Sequence, residues 1–152
     1  MDSSPNEPAI IPGGLAVDDR GQLSFVNGFS FDEVRRFYMV ENFTTETIRA
    51  FHGHLKEAKV VFVASGSALV VTVQLDNHLE PSRDIRPCRF VLSDRQPRVL
   101  YIPAGYANGF RCLEPGTKII FFSTSTLEES KGDDYRFPYD YWGEDVWKVN
   151  SY

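Results

Sequence analysis

Cysteine is scarce: Cys88 and Cys112 are the only two in 152 residues, and no C-x-x-C pattern joins them. That excludes a disulfide-built scaffold or a zinc ribbon, and both side chains read as reduced thiols. Long apolar runs are missing as well. No stretch approaches the ~18 residues needed to cross a bilayer. The opening MDSSPNEPAIIPGG lacks the basic start and apolar centre of a secretory signal. The expectation is a soluble cytoplasmic protein with no membrane partner. Positive charge is also in deficit, with 16 Lys and Arg against 21 Asp and Glu and a net charge of −5. The chain-wide positive field of a nucleic-acid binder is therefore absent, although a local basic pocket for a diphosphate fits within this balance.

Helical periodicity is the last shortage, and it turns attention to what is present. The chain is 42% hydrophobic and 14% aromatic, enough for one folded domain with many buried rings. Residues 1–14, rich in Ser, Pro, Asn and Gly, read as a flexible N-terminal arm, and 15–152 as a single domain. Short apolar or alternating runs follow: Arg36–Val40, Thr47–His54, Lys59–Ala64, Ala68–Leu75, Arg89–Leu92, Val99–Ile102, Phe110–Leu113 and Lys118–Ser123. They are rich in Val, Ile, Phe and Tyr, and turn residues such as Ser65-Gly66-Ser67 and Pro103-Ala104-Gly105 separate them. About eight closely spaced strands predict an all-β sandwich or barrel, with closure removing exposed edges. Phe31–Arg35 and Gly143–Val149 are the two places where a short helical turn is expected. The aromatic tail DDYRFPYDYWGEDVWKV, residues 133–149, reads as a lid or wrap across the barrel or at a subunit interface.

The strongest chemical signal is His52-Gly53-His54. Residues i and i+2 of a strand share a face, so both imidazoles point the same way. The third histidine, His78, follows the Asp76-Asn77 turn and reads as a loop residue. A His-x-His pair on a barrel strand suggests a metal, and the segment resembles the first metal motif of the cupins. There Lys59 occupies the slot of the acidic ligand. Pro103-Ala104-Gly105 resembles the second motif, and Asn108 stands where its metal histidine belongs. An ammonium cannot ligate a cation and an amide is a weak ligand for zinc or iron, so no metal and no cofactor are expected. Two imidazoles, a cation and an amide suit an enolate instead. Proton abstraction beside a carbonyl needs a base and a fixed donor at the oxygen, roles for His52 and Lys59. Strand parity places Lys59 on the opposite face from His54, so a bulge or bend must intervene.

The stretch RRFYMVENFTTETIRAFHGH, residues 35–54, followed by Lys59, is similar to two related cupin families of deoxysugar biosynthesis. In the dTDP-4-dehydrorhamnose 3,5-epimerase family the motif reads R-G-x-H-[FY]-Q. In the dTDP-4-keto-6-deoxyglucose 3,4-ketoisomerase family it reads R-G-x-H-A-H-K. YIPAGYANGFRCL (101–113) resembles the epimerase signature I-P-x-G-[FY]-A-H-G-F, and WGEDVW (142–147) resembles an epimerase L-G-I-x-W segment. His54 and Tyr38 resemble ketoisomerase residues. The resemblance implies a cupin jelly-roll, or double-stranded β-helix, with short helical turns, and a homodimer. It implies His52, His54, Lys59 and Tyr38 as catalytic residues and Arg36, Arg49 and Asn108 as substrate contacts. The implied substrate is a nucleotide-linked 4-keto-6-deoxyhexose carrying dTDP, CDP or GDP. Epimerisation at C-3, with C-5 as a second carbon, is the first reading. A 3,4-ketoisomerase and a non-catalytic sugar-nucleotide binder are the alternatives. No residue matches the Asp that orients the epimerase base, and Thr124-Ser125-Thr126-Leu127 stands where the acid tyrosine belongs.

Overall fold

The computed structural model describes residues 5–150, and strands dominate it. In chain order they are β1 (Ala9–Pro12), β2 (Gly14–Asp18), β3 (Gly21–Phe25), β4 (Arg36–Val40), β5 (Ile48–His54), β6 (Lys59–Ser65), β7 (Ser67–Gln74), β8 (Cys88–Ser93), β9 (Arg98–Ile102), β10 (Tyr106–Cys112), β11 (Lys118–Ser123) and β12 (Tyr135–Arg136). A short helix α1 (Leu127–Lys131) precedes β12, and a 3-10 turn spans Glu144–Trp147. One sheet runs β1-β9-β6-β11-β4 and the other β12-β5-β10-β7-β8, with β2-β3 as a separate hairpin. From β8 onward the chain steps from one sheet to the other at each strand, the winding of a double-stranded β-helix. The two sheets are packed face to face without closing into one hydrogen-bonded barrel. Among the described residues no helix is long and apolar enough to cross a membrane.

Two cores hold this arrangement. Val61, Val70, Leu100, Ile119 and Phe121 fill the space between the sheets. Leu69, Val71 and Val73 of β7 point the other way, into a second core with Phe51, Phe137, Trp142 and Trp147. Strand β7 is thus buried on both faces without a break from Ser67 to Val73, which explains its apolar run ALVV. The aromatic tail creates that second core by packing on the outer face of the β5-β10-β7 sheet. Trp142 Nε1 donates to the Ser82 carbonyl at 2.9 Å and Trp147 Nε1 to that of Tyr139 at 2.8 Å, so neither indole is buried unsatisfied. From Phe137 onward the tail wraps the outside of one sheet, while its first residues, Asp134 and Arg136, border the cleft.

Other expectations need correction. Residues 9–12, read as part of a loose arm, pair antiparallel with β9, Ala9 opposite Tyr101 and Pro12 opposite Arg98. Residues 1–4 of that arm lie outside the described residues. Phe31–Arg35 forms a turn closed by Val34 N donating to the Phe31 carbonyl, not a helix. Helix α1 was not anticipated, although its signal was present. Thr126 Oγ1 accepts from Glu129 N while the Glu129 carboxylate accepts from Thr126 N, a capping box.

Candidate active site

Strand β5 carries the histidines, and an irregularity in its pairing decides what stands beside them. Gly53 pairs with Ala107 and His52 with Asn108, but the next registered pair is Arg49 with Phe110. Ala50 and Phe51 together therefore oppose Gly109, a β-bulge that shifts side-chain parity by one. Arg49 is thereby turned onto the same face as His52, three residues away, and both line one cleft. Gly109 is what lets the strands close here. A Cβ on it would lie 2.4 Å from Ala50 Cβ and 2.9 Å from Ala50 Cα.

Lys59 arrives by the bend, not the bulge, of the two routes that parity allowed. Residues 55–58 turn the chain out of β5, and Lys59 opens β6 in the facing sheet. The Asp133 carboxylate fixes that turn by accepting from the backbone N–H of Leu55 (2.7 Å), Lys56 (2.9 Å) and Glu57 (3.0 Å). Lys59 Nζ donates to Tyr38 Oη at 2.9 Å. Tyr38, on β4, lies stacked on Phe121 with ring centroids 5.1 Å apart. The imidazoles thus belong to one sheet, and the hydroxyl and ammonium to the other.

The His52 ring is half-exposed, and its Nδ1 lies 3.3 Å from Asp134 Oδ1. A carboxylate only accepts, so Nδ1 carries the hydrogen, and in the neutral ring the lone pair is then at Nε2. Burial alone would raise the Asp134 carboxyl, but hydrogen bonds from Arg136 and His52 outweigh it and hold the pKa below the ordinary value. The carboxylate therefore persists to lower pH than an ordinary aspartate would allow. Sequence reasoning found no partner for the base. Asp134 supplies one because β12 adds to the edge of β5, Tyr135 opposite Gly53 and Arg136 opposite His52. The pair of carboxylates in DDY, just before that strand, was the available signal.

His54 sits deeper and is buried. Its Nδ1 donates to the Asp133 carbonyl at 2.6 Å, and its Nε2 is buried with no hydrogen-bond partner among the described residues. Loss of water chiefly, then the Lys59 charge, depress its pKa, against the opposing pull of the Asp133 carbonyl and Glu57. His54 is therefore a neutral imidazole at pH 7 with a lone pair at Nε2.

Every residue expected at the site is brought to one cleft with two lobes that meet at His52 and Lys59. The inner lobe, about 200 Å³, is lined by Tyr38, Arg49, His52, Lys59, Asn108 and Phe110 among others. The outer lobe, about 260 Å³, takes in Arg36, His54, Lys131, Asp134 and Arg136. Arg49 Nε donates to Asn42 Oδ1 at 2.6 Å, which fixes the guanidinium at the inner rim. Arg36 is tied at Nη2 to Ser130 Oγ (2.9 Å) and at Nε to the Ser125 carbonyl (3.2 Å). Among the described residues, no three His, Cys, Asp or Glu side chains are grouped as a metal would require.

Fold and cleft together define a cupin-type jelly-roll with a cleft between its two sheets. Comparison with known proteins narrows the class. Residues 18–137 match the sequence family of dTDP-4-dehydrorhamnose 3,5-epimerases, and the chain belongs to that family. It is 33% identical over 96 residues to the spore coat polysaccharide biosynthesis protein SpsL of Bacillus subtilis (strain 168). That match spans 61% of this chain and 61% of the relative's length. Among solved structures, it is similar to a dTDP-4-dehydrorhamnose 3,5-epimerase from Bacillus anthracis str. Ames with TDP and PPi bound. There the TM-score is 0.75 at 21% identity, covering 98% of this chain and 90% of that one. A 3,4-ketoisomerase from Helicobacter canadensis aligns with TM-score 0.65 at 20% identity, covering 91% and 96%. These two likenesses concern the fold.

Proposed function

We propose that the protein epimerises a nucleotide-linked 4-keto-6-deoxyhexose at C-3, with His52 as the base, and without a metal. The observation that carries the reading is the placement of base and acid on opposite walls of one cleft. His52, backed by Asp134, comes from β5, while the Tyr38–Lys59 pair comes from the facing sheet. Inverting a carbon requires the proton to leave one face of the sugar ring and return on the other. His52 Nε2 takes the C-3 proton, and the electron pair moves onto the C-4 oxygen as an enolate. Lys59 stabilises that oxyanion, an interaction with a fixed charge in a partly dry site. Lys59 donates to the Tyr38 oxygen, so the Tyr38 proton is free to point at C-3 from the other wall. Its delivery leaves a phenolate beside the ammonium, and water returns a proton from the imidazolium. The arginines at the two lobes, Arg49 and Arg36, suit the anionic diphosphate of dTDP, CDP or GDP. The expected cytoplasmic setting and homodimer belong to the same proposal.

Tyr38→Phe separates the two proton transfers. In deuterium oxide this variant should still exchange the C-3 hydrogen, since the base is intact. Formation of the inverted sugar should fall by about 10²-fold or more. Product NMR reads both quantities. Loss of exchange and inversion in equal measure would remove Tyr38 from the acid role.

A second reading, 3,4-ketoisomerisation, is favoured by one observation. His54 shares the wall of His52 and keeps a neutral, unpartnered Nε2. Two imidazoles on one wall suit carriage of a proton from C-3 to C-4 along a single face of the sugar. The position of the carbonyl in the product discriminates the two readings.

A further inference from the structure

The turn between β5 and β6 holds a carboxylate that the chemistry above leaves unused. The Glu57 side chain is fully enclosed, 0% exposed. It accepts hydrogen bonds from Ser123 Oγ on β11 at 2.9 Å and from Ser130 Oγ on α1. Its Oε2 lies 3.8 Å from Lys59 Nζ and 3.8 Å from Arg36 Nη2, and its Oε1 lies 3.9 Å from His54 Nδ1. An anion removed from water is tolerated only when donors and opposite charges replace the solvent. Here two hydroxyls and two cations do so. Glu57 borders the outer lobe, but its side chain has no surface open to solvent, so its effect on chemistry is exerted through the neighbours it touches.

Those neighbours are residues that the cleft uses. Lys59 directs its ammonium both to Tyr38 Oη and toward Glu57 Oε2. A free lysine stem samples many rotamers, and a fixed anion beneath it selects one of them. Arg36 is clamped in the same way, between Glu57, Ser130 Oγ and the Ser125 carbonyl. The charged and titratable groups around Glu57 are His54 from β5, Lys59 from β6, Arg36 from β4, and Asp133, which receives Glu57's own N–H. Strand β11 and helix α1 contribute the two serine hydroxyls.

We propose that Glu57 is a positioning residue: its enclosed carboxylate anchors the Lys59 ammonium and the Arg36 guanidinium, so that Lys59 stays within reach of Tyr38 opposite His52. What turnover reports rests on the epimerase reading, whereas the anchoring itself rests on geometry alone.

Glu57→Gln keeps the shape and removes the charge. In the full-length protein, kcat should fall about 10- to 100-fold while KM changes less than about threefold. Glu57→Asp, which restores the charge, should recover part of that loss. A readout independent of turnover is the His54 imidazole followed by NMR. Removing an anion 3.9 Å away should move its titration midpoint down. If Glu57→Gln does not fold, Ser130→Ala removes one of the two hydroxyls that seat the carboxylate. It should lower kcat by about three- to tenfold. A folded Glu57→Gln with unchanged midpoint and unchanged kcat overturns the proposal, as does an unaltered Ser130→Ala where only that variant folds. Wild type inactive on every 4-keto sugar, with the midpoint shift still present, sinks the epimerase reading and leaves the anchor standing.

Discussion

Replacing His52 with Asn should reduce kcat/KM on a nucleotide-linked 4-keto-6-deoxyhexose by about 10³-fold, within the range that a general base contributes. The imidazole is half-exposed and packs in neither hydrophobic core, so the midpoint of thermal unfolding should stay near that of wild type. Affinity for the sugar nucleotide should change little, since the arginines at the two lobes are left intact. Asp134→Asn should cost less, because the carboxylate orients the ring and selects its tautomer without touching the sugar. Its effect on kcat should be about 10²-fold. Steady-state kinetics with calorimetric binding of the nucleotide would separate chemistry from recognition. Full turnover by the Asn variant would exclude His52 as the base. Wild-type binding without turnover on any such sugar would favour the binder alternative.

The second large effect concerns stability. Gly109→Ala places a methyl group 2.4 Å from Ala50 Cβ, 2.9 Å from Ala50 Cα and 3.0 Å from the Arg49 carbonyl oxygen. Two of those three atoms are backbone, and the third is fixed rigidly to it, so no side-chain rotation relieves the contact. The bulge between β5 and β10 has to open. Overpacking of this sort costs about 2–3 kcal/mol, and unfolding should occur roughly 5–10 °C lower. Gly132→Ala is the natural control, since a Cβ there meets nothing nearer than 3.9 Å. The variant should also lose sugar-nucleotide affinity, because the same bulge sets Arg49 on the face of His52. A melting temperature equal to that of the control would show that the strands are not in this close contact.

Much of this site is legible in the sequence because it follows from local periodicity. His52 and His54 share a face by strand parity, and the β-branched runs locate the strands around them. The limits of β4 and β11 coincide with the expected runs, whereas β10 begins at Tyr106, four residues earlier than the run at Phe110 suggested. Asn108 and Gly109 are poor strand formers, and the pairing of β10 with both β5 and β7 overrides that preference. Pro, Asn and Gly hid β1 for the same reason. An edge strand with one paired neighbour tolerates Pro12 at its end.

What the sequence concealed is long-range. Asp134 lies 82 positions from His52, and only the addition of β12 to the edge of β5 joins them. Lys59 reaches the cleft by a change of sheet, which no single-strand periodicity encodes. Glu57 looks like one more acidic residue in a turn until Arg36, Ser123 and Ser130 close around it. The aromatic tail signalled burial without saying against what. The doubly buried run of β7 is the one local clue that a second layer covers its outer face.

The central claim is that an imidazole on one wall and a hydroxyl on the other invert C-3 of a keto sugar. One reaction tests it: wild-type protein with a nucleotide-linked 4-keto-6-deoxyglucose, in deuterium oxide with a chelator present, the product read by NMR. One deuteron should appear at an inverted C-3, with the carbonyl still at C-4. A carbonyl found at C-3, or a C-3 hydrogen that neither exchanges nor inverts, would contradict it.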